Sequence, residues 1–168
     1  MIPELGHFAL ILALCVALVQ ASVPLLGMAL KLPAWIGLAR PAAYLQLICL
    51  LLAFGCLTTS FIEHDFSVAY VAQNSNTRLP LLYRISGVWG AHEGSLLLWA
   101  LCLSIWTALV AGFSRAMPSA TRGRVLAVMA WISVGFLLFL LITSNPFIRL
   151  FPYPAEGRDL NPLLQDPG

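Results

Sequence analysis

Four long apolar runs, separated by short polar breaks, set the pattern of this chain. Crossing roughly 30 Å of hydrocarbon takes about 20 mostly apolar residues. Residues 5–29 meet that length, with only Gln20, Ser22, Pro24 and Gly27 as interruptions. Residues 42–62, 94–113 and 125–143 meet it too, and each ends where charged or turn-forming residues return. The pattern predicts an all-α integral membrane protein with four transmembrane helices in one membrane domain over residues 1–168. Pro3 and Glu4 suit a helix start, through the fixed φ of proline and a carboxylate at the positive end of the dipole. A cleaved signal peptide is the rival reading of the first run. Its leading segment should be basic, but Glu4 stands there without Lys or Arg, so a retained helix is expected.

Between the second and third runs, Gln73-Asn74-Ser75-Asn76-Thr77 reads as a loop core. The segment 79–85 is apolar but carries Tyr83 and Arg84, which suits a short piece lying at the membrane interface. From Ser144 onward Pro146, Pro152, Pro154, Pro162 and Pro167 punctuate the chain, predicting an extended segment and no fifth helix. No internal repeat is visible. The chain stops inside this segment, at Asp166-Pro167-Gly168, which predicts a piece of a larger membrane protein.

Composition agrees with the pattern. Hydrophobic residues make up 60% of the chain and charged residues 10%, with a mean hydropathy of +0.89, whereas a soluble domain carries about a quarter charged residues. Lipid is therefore a partner, and the absence of a basic cluster with interleaved aromatics argues against nucleic acid. The breaks after the first and third runs hold Lys31, Arg40, Arg115, Arg122 and Arg124 and no acid. Positive residues mark the cytoplasmic side, so the predicted topology is N-out and C-out, with loop 63–93 and tail 144–168 periplasmic. Cys15, Cys49, Cys56 and Cys102 all lie in apolar runs without a CxxC and read as small buried hydrophobes.

Candidate chemistry concentrates in residues 87–99, Gly-Val-Trp-Gly-Ala-His-Glu-Gly-Ser-Leu-Leu-Leu-Trp. His92, Ser95, Trp99, Cys102 and Trp106 recur at helical spacing and share one face. One reading is an aromatic packing stripe inside a bundle, with Trp89 and Trp99 in an interfacial belt. The other is a platform for a flat, apolar, carboxylate-bearing ligand such as haem, lined by Trp89, His92, Glu93 and Trp99. There Gly90 and Gly94 would admit close approach, and carboxylates would meet Arg84 or the N–H groups of Ser95 to Leu97. His92 can equally bond Glu93. His7 and His64 read as an interfacial and a solvated histidine.

Residues 89–99 resemble the WGxHEGSxLLW signature of the CcmF family of cytochrome c-type biogenesis proteins, which includes NrfE. Ile2-Pro3-Glu4-Leu5-Gly6-His7-Phe8-Ala9, Asn74-Ser75-Asn76-Thr77-Arg78-Leu79-Pro80 and the segment 147–168 are similar to the family in the same order. The last of these contains Asn161, Gln165 and Asp166, a periplasmic tail motif. The resemblance implies a subunit of the haem lyase of the bacterial inner membrane. Such a subunit takes haem from a periplasmic haem chaperone and delivers it to the CxxCH of apocytochrome c, beside a thiol-handling partner. The thioether-forming cysteines belong to the apocytochrome, so no catalytic residue is expected here. It also implies a haem b whose ligand histidines lie beyond Gly168, within the remaining portion of the same protein. The family's tryptophan-rich WWD segment has no counterpart, as no Trp follows Trp131. This chain alone therefore resembles the amino-terminal portion and is not expected to be active by itself. The alternative is a structural or transporter-type multi-pass subunit. Span interiors without charged residues argue against ion transport.

Overall fold

Helix α1 (Ile2–Ala29) presents a stripe of small residues. Gly6, Ala9, Ala13, Ala17 and Ala21 are all buried, at the spacing that lets helix backbones approach closely in lipid. The partner is α3 (Ala39–Ile62), which runs antiparallel and buries Ala43, Leu50, Ala53, Cys56 and Leu57. A methyl on Gly6 would meet Cys56 Cβ at 2.9 Å and the Phe147 ring at 2.5 Å, so glycine there sets the closeness of the two helices. α7 (Ser119–Ile142) packs on the other side of α1, and α6 (His92–Phe113) closes the ring between α3 and α7. This computed structural model describes residues 1–159, so the predicted tail motif of Asn161, Gln165 and Asp166 lies outside the described residues. The described residues form an all-helical fold with four helices long and apolar enough to cross a membrane.

Most interior hydroxyls find a partner within the protein, as lipid offers none, whereas the buried Gln46 amide and Gln20 Oε1 have none among the described residues. Thr58, Ser60, Ser104, Thr107 and Ser133 turn their hydroxyls back onto carbonyls of their own helices. Gln20 reaches across, its Nε2 donating to the Leu126 carbonyl at 3.3 Å and so joining α1 to α7.

The two ends of the bundle differ. At one, α1 and α3 are linked by Leu30 to Leu38, including the single-turn helix α2 (Pro33–Gly37). A 3₁₀ turn over Ser114–Ala116 links α6 to α7. At the other end, residues 63–91 fold into α4 (Ala69–Asn74) and α5 (Leu81–Gly87). The segment after α7 comes back over them. Ala69 N–H donates to the Ile148 carbonyl and Leu150 N–H to the Ser67 carbonyl, each at 2.8 Å, and Arg158 N–H donates to the Ala72 carbonyl at 2.8 Å.

Several boundaries lie outside the apolar runs. α6 begins at His92 and α7 at Ser119, six residues before the fourth run, so Arg122 and Arg124 stand on the first turns of a helix and not in a loop. Apolar length marks what sits in hydrocarbon, whereas the helix extends until its backbone pairing ends. The segment expected at the interface is helical as α5, and residues 144–159 contain no helix.

Candidate functional site at the α5–α6 turn

The turn that delivers α6 is built around Tyr70 of α4. Its hydroxyl donates to the Val88 carbonyl at 3.1 Å and accepts from the Ala91 N–H at 3.2 Å. Burial, which penalises the phenolate, pushes Tyr70 up to about 12. Ser95 Oγ donates to the Trp89 carbonyl at 2.6 Å, closing the turn from the helix side. Gly94 has a structural reason: a methyl there would sit 1.7 Å from the Val88 carbonyl oxygen and 2.6 Å from the Tyr70 hydroxyl. The close approach expected for a ligand at Gly94 is thus made by the protein's own backbone. The Ser95 N–H is likewise committed, donating to the Ala91 carbonyl at 3.1 Å, so the first turn does not offer it to an anion.

His92, the first residue of α6, is oriented from α7. Its Nδ1 lies 3.1 Å from Ser144 Oγ, and Ser144 is 4% exposed. Its ring meets Phe139 edge-on at 5.9 Å between centroids. Nε2 has no protein partner among the described residues and belongs to an exposed side chain. Down the same face, Trp99 is 65% and Trp106 64% exposed. The stripe read from the spacing is real, but it points out of the four-helix ring. It is not a packing stripe within these helices. His92, Ser95, Leu96, Trp99 and Phe136 line a shallow cavity of about 440 Å³ on that face.

Trp89 stands in the turn, 39% exposed, and Glu93 is half-buried on the first turn of α6. Neither lines the cavity with His92 and Trp99. Arg84 does not join the site either: it binds the end of α3, with Nη1 2.9 Å from the Ile62 carbonyl. Among the described residues, no cluster of three or more His, Cys, Asp or Glu is arranged to hold a metal ion.

Sequence reading missed the supporting shell. Tyr70 and Ser144 carried no motif. Nor did Asn145, whose Nδ2 lies 3.1 Å from His7 Nδ1. Arg149 was also missed: it pairs with Glu4 at 2.5 Å and Asp65 at 3.1 Å, binding the start of α1 to the cap. Only the position of Ser144-Asn145, directly after the fourth apolar run, hinted at a contact with the other helix ends on that side.

The described residues define a multi-pass integral-membrane helix bundle whose α5–α6 turn carries an outward-facing histidine. The family model described as Cytochrome C assembly protein matches residues 89–168, beginning on Trp89. The chain is 64% identical over its whole length to cytochrome c-type biogenesis protein CcmF of Pseudomonas aeruginosa and 53% identical to that of Escherichia coli. It is 45% identical to NrfE of Haemophilus influenzae. In each case it covers 26% of the relative. A solved structure titled Cytochrome c Heme Lyase CcmF superimposes on 88% of this chain and 25% of its own, with a TM-score of 0.82 and 31% identity. The chain belongs to the CcmF family of cytochrome c-type biogenesis proteins and spans about a quarter of the length of these curated relatives.

Proposed function

We propose that this chain forms the amino-terminal membrane portion of a haem lyase subunit, with the capped end of the bundle in the periplasm and the arginine-bearing turns in the cytoplasm. In this reading the whole protein accepts haem from a periplasmic haem chaperone. It then presents that haem to the CxxCH of apocytochrome c, held by a thiol-handling partner, in the bacterial inner membrane. The N-out, C-out orientation rests on Lys31, Arg40, Arg122 and Arg124, which lie toward the end opposite the cap.

The observation that carries the reading is the posture of His92. Nδ1 is tethered to Ser144 while Nε2 is left on the outer face, the arrangement by which a second partner orients a ligating imidazole. Haem fits here as far as one wall is concerned: Leu96, Trp99 and Phe136 give a flat apolar surface and His92 a nitrogen donor at its rim. Trp89 and Glu93, which do not line this cavity, flank His92 in sequence and enter the reading only as neighbours of the turn. A haem b held within the membrane takes its ligand histidines from elsewhere in the full-length protein. Bound haem supplies the vinyl groups that the apocytochrome thiols attack, while these residues bind and orient it.

His92→Ala in the intact protein should lower cytochrome c maturation at least several-fold while the protein stays in the membrane at normal abundance. Unchanged maturation would remove His92 from the site. The outward aromatic face of α6 also suits packing against further spans of a protein about four times as long, so the anchoring role and the haem role share this surface.

A further inference from the structure

At the cap end of α3, two side chains in contact each leave one hydrogen-bond donor unsatisfied. Arg84 Nη1 donates to the Ile62 carbonyl at 2.9 Å and approaches His64 Nε2 at 3.0 Å. A guanidinium only donates, so His64 Nε2 is the acceptor and its proton sits on Nδ1. His64 Nδ1 and Arg84 Nε are both shielded from solvent without a partner, a state costing roughly 1–3 kcal/mol per group. Among the described residues no carboxylate lies within ion-pair distance of Arg84. The end of α3 supplies about half a negative charge, so about half of the guanidinium charge is left over.

His64 itself occupies a position where glycine is usual. It follows the last turn of α3 with φ 55, while Asp65 N–H donates back to the Ser60 carbonyl at 3.0 Å, the closure typical of a helix C-terminus. A side chain in that conformation costs about 1 kcal/mol or more relative to glycine. The imidazole is kept at that cost.

The surroundings place the pair at the membrane surface. Ile62, Leu81 and Leu82 are 38%, 49% and 79% exposed, so the apolar face of α5 reaches outward beside Arg84. With the four spans across the bilayer as proposed, a phospholipid phosphate would lie at that level. The other charges nearby are accounted for: Asp65 is neutralised by Arg149, and Glu63 is exposed. The His64 ring also borders an open cavity of about 450 Å³ shared with Asp65, Phe66, Ser67, Tyr153 and Pro154, which reaches the histidine side of the pair and not Arg84.

We infer that Arg84 and His64 form an oxyanion site at the interfacial end of α3, taking the phosphate of a membrane phospholipid. It is a site distinct from the His92 face and does not rest on the haem reading.

The test is native mass spectrometry of the intact protein in detergent. The probes are phosphatidylglycerol, phosphatidylethanolamine and diacylglycerol of matched chains. The wild type should retain one more phospholipid than diacylglycerol, and Arg84→Gln should weaken that retention about ten-fold, the loss of one charged hydrogen bond. Because Arg84 also caps α3, His64→Gly is the cleaner variant. Glycine suits the backbone there, so the thermal midpoint should hold or rise while phospholipid retention still falls several-fold. Equal retention of diacylglycerol and phospholipid, or a His64→Gly protein that retains phospholipid as the wild type does, overturns the site. Displacement of phospholipid by inorganic phosphate would assign the site to a soluble oxyanion, and resistance to it would assign the site to lipid.

Discussion

The two ends of the bundle solve the same problem in different ways. Each must reverse α1 or α3, and each uses a side-chain residue in the left-handed region: Lys31 with φ 57 at one end, His64 with φ 55 at the other. After Lys31 the chain turns through seven residues, 32–38, with backbone bonds alone, such as Leu32 N–H to the Gly27 carbonyl at 2.7 Å. After His64 it takes 27 residues, 65–91, to reach the next span, and these are tied by side chains: Tyr70 to Val88 and Ala91, Thr77 to Glu156, Arg149 to Glu4 and Asp65. A turn that only connects needs no such fixing, and a surface that must hold a shape does. The difference supports the proposal that the working surface lies at the capped end.

The largest expected effect is at the α5–α6 contact. Gly94→Ala forces a methyl into the Val88 carbonyl and should destabilise the protein by about 3 kcal/mol, as overpacking does. Gly55→Ala, where nothing lies within 4 Å, should be neutral or slightly stabilising. Thermal unfolding in detergent distinguishes them, and equal midpoints would erase the contrast between fixed cap and plain helix.

Next in size is Tyr70→Phe, which leaves the Ala91 N–H and Val88 carbonyl without their shared hydroxyl and should cost about 2 kcal/mol. The same group sharpens the comparison through pH. Its folded value lies above the ordinary 10, so its contribution is whole below pH 10 and is lost as pH rises toward 12. Protection of the amides at 88–95, taken relative to their base-catalysed intrinsic rates, should therefore fall in that window in the wild type and not in Tyr70→Phe, while protection at 30–38 stays unchanged.

The smallest effect belongs to the plain end. Lys31→Gly relieves a left-handed side-chain residue and should raise stability by about 0.5–1 kcal/mol, with cytochrome c maturation unaltered. A loss of maturation in Lys31→Gly would mean that the plain end also works.

Much of this was legible beforehand because the bilayer imposes a length. Four apolar runs must be four helices, and the resemblance of residues 89–99 marked the turn on which the proposed site rests. The helix starts were not legible: α7 begins at Ser119 because its first turns carry Arg122 and Arg124 outside the hydrocarbon, where hydropathy is silent. The cap was not legible either, since its bonds join residues far apart in the chain, Tyr70 to Val88 across 18 positions and Arg149 to Glu4 across 145. Gly94 was seen as a clearance for a ligand, when the space is taken by a carbonyl six residues earlier. The outward direction of Trp99 depends on which neighbours α6 finds, and periodicity gives a face without saying what it looks at.

The seating of the Val88 oxygen on Gly94 also has a mechanical consequence. With no slack between them, α5 and α6 behave as a crank: a roll of α6 about its axis swings α5 with it. Arg84 rides on α5 and grips the last carbonyl of α3, so a push on the exposed indoles of α6 would be felt at the end of the neighbouring α3, where His64 sits.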